Sequence, residues 1–224
     1  MRSYCRGLTT LVVICALAGG MKSHAGVICL LPGPPSACGS YVSDTPDGSF
    51  SATFFDGGAT YGLGRLHLFN LINIVLTPSG PNELEAFDAT LATGFTIIPP
   101  GAGGPIQLSG PVQVVAFNKT TNDTGTFQTE IVSMSLTGSG LILRESPTLP
   151  SNGSLNITNL GGGNYRIDSF FDVFVELSLD NGTTWIPQQE SGGVRIELVP
   201  EPGTLSMLGL AGLALGFMAR RRRI

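Results

Sequence analysis

The sequence predicts an all-β fold, a single antiparallel β-sandwich for which a jelly roll is one fitting topology. Three observations predict it. Runs rich in Val, Ile, Phe and Thr are separated by clusters of Gly, Pro, Asn and Asp, the punctuation of short strands and tight turns. The 31 Gly and 15 Pro follow no collagen-like period, and 42% hydrophobic with 12% charged residues is too apolar for a disordered chain. Residues 170–179 alternate, with Phe171, Val173, Val175, Leu177 and Leu179 on one face and Asp172, Phe174, Glu176 and Ser178 on the other. One continuously apolar face is what a sheet packed on a core requires.

Along the chain, strands are expected at 49–55, 65–77, 86–90, 112–117, 126–137, 140–145, 154–158, 164–167, 170–179 and 194–198. The segment 65–77 is ambiguous, because Leu66, Leu68, Phe69, Leu71, Ile72, Ile74, Val75 and Leu76 fit a helix about as well as a buried strand. Gly62, Gly64 and the β-rich neighbourhood tilt it to strand. Gly161, Gly162 and Gly163 read as a loop. Residues 26–199 form one domain, with no internal repeat to divide it.

The two ends differ from this body. Arg2 and Arg6, an apolar run over 8–18 and Ser23-His24-Ala25 make a secretory signal peptide, 1–25, cleaved between Ala25 and Gly26. The run is too short for a membrane-spanning helix, which needs about 20 apolar residues. Cys5 and Cys15 leave with it. Cys29 and Cys38 remain, and export to an oxidising compartment favours a local disulfide over a metal pair, which would have only His67 to draw on. At the other end, Pro200-Glu201-Pro202 makes an extended joint. An apolar helix is expected over 204–219, about 24 Å long at ~1.5 Å per residue and a little short of a ~30 Å hydrocarbon core. Arg220, Arg221, Arg222 and Arg223 then act as a stop-transfer cluster on the cytoplasmic side. Between Lys22 and Arg220 the basic residues are Arg65, Lys119, Arg144, Arg166 and Arg195, and all 16 acids lie in that interval. The net charge of −4 thus averages basic ends and an acidic body, which is no electrostatic footprint for nucleic acid.

The order joint, short Leu/Gly/Ala helix and terminal arginines resembles the PEP-CTERM sorting signal of exported bacterial proteins, here 200–224. A plain single-span anchor explains the helix and arginines but not Pro200-Glu201-Pro202. The resemblance implies that these three residues are recognised by an exosortase-type processing enzyme. It also implies an inner-membrane precursor held until processing and a mature protein at the cell surface or outside the cell, in a polymer matrix. The run Arg144-Glu145-Ser146-Pro147, 161–174 and Val194-Arg195-Ile196-Glu197-Leu198 resembles a recurrent ectodomain of such proteins, with no biochemical activity attached.

Within the body, Ser178-Leu179-Asp180-Asn181-Gly182-Thr183-Thr184-Trp185 resembles the Asp-box hairpin of sialidases and other secreted β proteins. It occurs once and lacks the arginine cluster of a sialidase, so a structural hairpin is expected: Asp180 caps the turn, Asn181-Gly182 supplies positive φ and Trp185 packs back. The acid sets Glu83/Glu85/Asp88, Asp168/Asp172/Glu176 and Asp44/Asp47 read first as solvated faces. A glycosidase pair or a Ca²⁺ site needs convergence that spacing alone does not establish. His67 is expected to be structural, and no nucleophile elbow or phosphate loop is present. Asn118, Asn122, Asn152, Asn156 and Asn181 begin Asn-x-Ser/Thr triplets in or beside expected turns. The resulting expectation is a non-enzymatic structural or binding component that needs no cofactor, Ca²⁺ in acidic loops being the weaker alternative. A carbohydrate-binding or glycan-active domain, contacting extracellular polysaccharide, is the second reading.

Overall fold

The computed structural model describes residues 26–29, 39–99, 101 and 103–200. Ala25, Cys38, Glu201, Pro202 and the arginines Arg220, Arg221, Arg222 and Arg223 lie outside them, as do the expected signal and 204–219 helices. The described residues contain strands and turns but no helix. Fourteen strands follow in order. These are β1 (Val27–Cys29), β2 (Gly39–Ser43), β3 (Ala52–Asp56), β4 (Ala59–Leu63), β5 (His67–Ser79), β6 (Asn82–Ile98) and β7 (Gly104–Ala116). They continue with β8 (Gly125–Gly138), β9 (Leu141–Glu145), β10 (Ser151–Gly161), β11 (Asn164–Val173), β12 (Val175–Ser178), β13 (Ile186–Pro187) and β14 (Val194–Pro200).

Where a sandwich was expected, the hydrogen-bonded ladder closes on itself. Strands β8, β10, β11, β14, β2, β5, β6 and β7 form an eight-stranded antiparallel barrel, each pairing with the next and β7 returning to β8. Sandwich and barrel impose the same alternation on each strand, one face to the core and one away, so the sequence pattern cannot separate them. Closure also removes the free edges that a two-sheet stack would leave.

Strands β6, β7 and β8, at 17, 13 and 14 residues, are longer than the short strands expected. They extend past the barrel into a second circuit. There β8 pairs with β9, β9 with β12 and β12 with β13, while β6 pairs with β4 and β4 with β3. A single bridge, Phe54 to Gln188, and the Gln189 N–H donating to the Thr53 carbonyl (2.8 Å) join the two ends. The expected strand 170–179 is therefore two, broken at Phe174, with β11 in the barrel and β12 in the second circuit.

The cores of both circuits form one apolar cluster that includes Phe54, Leu63, Leu108, Leu136, Leu143 and Leu177 beside Tyr41, Phe87, Ile131, Ile157, Ile167 and Phe171. The long strands cross closely where the circuits meet. A Cβ on Gly110 would strike the Ser135 carbonyl, and one on Gly138 the Gln107 carbonyl, so both positions need glycine.

Strand β5 explains the helix-like pattern of 65–77. Asn70 and Asn73 take left-handed conformations (φ 53° and 55°), and the register with β6 shifts between Phe69 and Ile72 and again between Ile72 and Val75. Each bulge inserts a residue and resets the alternation, so the inward residues Leu68 and Leu71 fall three apart, as on a helix. The strand reading holds. At the N-terminus, β1 pairs with β11 through Val27 to Ile167, and Val27 and Cys29 are buried. Cys29 is disulfide-bonded. At the other end β14 runs to Pro200, which pairs with Gly39. Pro200, expected in the joint, is instead the last residue of β14. A proline is tolerated there because a terminal ladder position can do without the missing N–H.

Candidate functional site

The hairpin loop 178–185 is built by its own side chains. The Ser178 hydroxyl donates to Asp180 Oδ1 (2.9 Å) and accepts from the Gly182 N–H (2.8 Å). Asp180 accepts from the Thr184 N–H at Oδ1 (2.8 Å) and from the Thr184 hydroxyl at Oδ2 (2.6 Å). Asn181 and Gly182 take φ of 59° and 87°. The hydrogen bonds from Thr184, above all its hydroxyl, pull the Asp180 carboxyl down to about 2.

This loop sets Trp185 over strand β9. The Arg144 guanidinium lies 3.7 Å from the ring centroid, and its Nε and Nη2 both donate to Glu176 Oε2 (2.9 and 2.6 Å). The Ser146 hydroxyl reaches the other carboxylate oxygen at 3.5 Å. Arg144 and Glu176 face each other directly across the β9–β12 ladder. Cation–π and charge-assisted hydrogen bonds therefore act on one guanidinium from two sides and fix it.

Arg144 and Trp185 border an open groove of about 730 Å³, lined also by Glu130, Val132, Met134, Glu145, Thr148 and Leu149. Its position follows from the topology. The edge of β8 pairs with β10 up to Ile131 and with β9 from Ser135 onward, and the groove occupies the notch between these partners. Val132 and Leu149 are exposed there. Glu145 is half-buried, and its carboxyl is pushed up to about 7. Desolvation is the chief cause, opposed by a hydrogen bond from Ser151 and reinforced by the charges of Glu130 and Glu176, with Arg144 lowering it.

The expected acid sets do not converge. Asp168 pairs with Arg166 (3.2 Å) and Asp172 with Arg195 (3.5 Å) on the outer face of β11, whereas Glu176 pairs with Arg144 on β12. Glu176 is 9% exposed, which corrects the solvated-face reading, because Arg144 and the Ser146 hydroxyl close over its carboxylate. Glu83 and Glu85 are corrected likewise: they alternate in phase with buried Phe87, Ala89 and Leu91 and point inward. Asp88 points outward and accepts from Asn73 Nδ2 (2.7 Å). Asp44 and Asp47 are both exposed, Asp47 in a turn. His67 Nε2 lies 3.1 Å from the Ser40 hydroxyl and its ring stacks on Phe69 at 4.9 Å. Asn118, Asn122 and Asn181 sit in turns with positive φ, but Asn152 and Asn156 lie within β10, correcting their expected place. Among the described residues no group of three or more His, Cys, Asp or Glu could hold a metal ion.

Two features escaped the sequence reading. Arg144 and Glu145 were noted within a longer resemblance without a site role, and only the cross-strand register reveals Arg144 opposite Glu176. Lys119, in a stretch that reads as an exposed turn, is 1% exposed and bonded to Glu83.

The fold and its ends define a β-barrel body joined through its last strand to a terminal targeting segment. A family model, the PEP-CTERM protein-sorting motif, matches residues 198–223. That motif is the signal recognised by exosortase, and it implies export with a membrane-anchored stage followed by processing. No curated protein and no solved structure matches the chain. Among the described residues no helix is long and apolar enough to cross a membrane.

Proposed function

We propose that the mature barrel is a non-enzymatic structural or binding component of the cell envelope or of an extracellular matrix. One observation carries this reading: Arg144 is fixed between Trp185 and Glu176 at the edge of an open groove. A satisfied, immobile cation and ring make a binding platform, whereas a catalytic group must stay free to exchange protons with its substrate. Delivery follows the sorting signal, with Pro200-Glu201-Pro202 read by the processing enzyme. Replacing these three residues by alanine leaves the protein exported but unprocessed in the inner membrane, as fractionation and immunoblotting would register; unchanged release overturns the sorting role.

A second reading, glycan binding or cleavage at the groove, is favoured by Glu145. A carboxyl pushed up to about 7, lining the same groove as an aromatic ring, has the makings of a general acid. Incubating the mature protein with the producer's exopolysaccharide separates the two. Saturable binding without new reducing ends, weakened by Trp185→Ala, fits a binding component. Turnover lost in Glu145→Gln fits an enzyme and overturns the first reading.

A further inference from the structure

At the end of the barrel, the loop between β7 and β8 tucks a lysine inward. The Asn118 N–H donates to Asn82 Oδ1 (3.0 Å), anchoring the chain just before Lys119. Just after it, Asp123 Oδ2 accepts from the Thr120 N–H (2.8 Å) and hydroxyl (2.7 Å). Asn118 and Asn122 supply left-handed turns (φ 54° and 71°). Held on both sides, Lys119 points its Nζ onto Glu83 Oε1, while the Thr121 hydroxyl holds Glu83 Oε2 (3.3 Å). The two side chains are 1% and 4% exposed.

Glu85 is the next inward residue on β6. In the same layer of the barrel, Glu83 is in register with Ala116 and Ala116 with Thr129. Thr129 is buried, and its hydroxyl has no hydrogen-bond partner among the described residues.

We propose that Lys119 and Glu83 become joined by an intramolecular amide, an isopeptide cross-link formed by the folded protein itself. Nζ attacks Glu83 Cδ, one carboxylate oxygen leaves, and the ammonium supplies the two protons that carry it away as water. One proton stays on the amide nitrogen. The ammonium and carboxylate charges cancel, so the step is balanced with no added acid, base or oxidant.

In water such a condensation runs backwards, but two features of the site reverse the odds. Positioned reactants reach effective molarities on the order of 10⁵ M or more. A dry interior both withholds the water needed for hydrolysis and penalises the charged starting pair, so a neutral amide relieves the desolvation cost. The unpartnered Thr129 hydroxyl provides hydrogen-bonding capacity in the same layer for the new amide. The link ties the start of β6 to the loop after β7 and closes the barrel end covalently.

The sequence makes the test direct, because between Arg65 and Arg144 the only tryptic site is Lys119. The full-length chain is expressed in an exporting host, and the recovered protein is unfolded, digested with trypsin and weighed by mass spectrometry. Residues 66–144 are expected as one fragment, lighter by one water, with fragmentation placing the link between Lys119 and Glu83. The variant Lys119→Arg is expected to release 66–119 and 120–144 at unaltered mass. Separate fragments from the wild type, an uncut fragment at full mass, or a link at another residue overturns the proposal. Because the wild-type digest alone decides, a variant that fails to fold does not blunt the test.

Discussion

Two ion pairs in this protein use similar partners in opposite surroundings. Lys119–Glu83 is sealed inside the barrel end, with side chains 1% and 4% exposed, while Arg144–Glu176, at 32% and 12%, reaches the groove through its arginine. The sealed pair has no access to water and no neighbour to recognise, so its importance is to the integrity and chemistry of the barrel. The open pair keeps one face toward solvent and fixes an aromatic ring beside it, so its importance is to what the surface can hold. Burial, rather than the identity of the charges, separates the two roles.

The sharpest way to break this comparison is to truncate each cation. Lys119→Ala leaves a buried carboxylate unpaired and is expected to cost about 3–5 kcal/mol, read from urea unfolding. Replacing both partners, as Lys119→Met with Glu83→Leu, is expected to recover part of that loss, since the unpaired charge is then gone. Arg144→Ala is expected to cost about 1–2 kcal/mol, because solvent reaches Glu176 once the guanidinium is removed. Equal losses at the two positions would erase the distinction drawn between them.

Next in size is a pH effect confined to the open region. The Glu145 carboxyl titrates near 7 in the folded protein against an ordinary value of 4.5. The folded state therefore holds this proton more tightly than the unfolded chain. Its contribution is fully present below about 4.5 and is lost as pH rises through about 7. Urea midpoints of the wild type should fall across this window relative to Glu145→Gln, and parallel profiles would place the pH dependence elsewhere.

The smallest expected effect is spectroscopic. Trp185 is the single tryptophan, so its emission reports only on the groove. Asp180→Ala removes the acceptor of both Thr184 hydrogen bonds and is expected to move that emission to longer wavelength with little change in the unfolding midpoint. An unshifted spectrum would mean that the loop holds the ring without Asp180.

Several of these features were open to reading from the chain alone. The all-β class was visible in strand and turn composition, and the hairpin at 178–185 in its spacing, because both depend on residues close in sequence. The inward phase of Glu83 and Glu85 was legible as well: counting back by twos from Leu91, Ala89 and Phe87 arrives at both acids. The expected strand 86–90 stops short of both acids, and buried charge is rare enough that a solvated face reads first until Lys119 is seen opposite Glu83. Closure of the barrel was not legible, because the pairing of β8 with both β7 and β10 is set by contacts between strands, while alternation records only which face is buried. The groove shares this property, as it arises where one strand changes partner.

The pairing of Pro200 with Gly39 makes the barrel and its sorting signal nearly one object. In sequence, Glu201, Pro202 and Gly203 separate that last rung from the apolar run beginning at Thr204, and the four extended steps from Pro200 to Thr204 reach at most about 14 Å. An anchor in that run would leave the precursor a tether no longer than that. The motif matched at 198–223 therefore begins on the barrel itself, so an enzyme that recognises it meets the wall around β14 and β2.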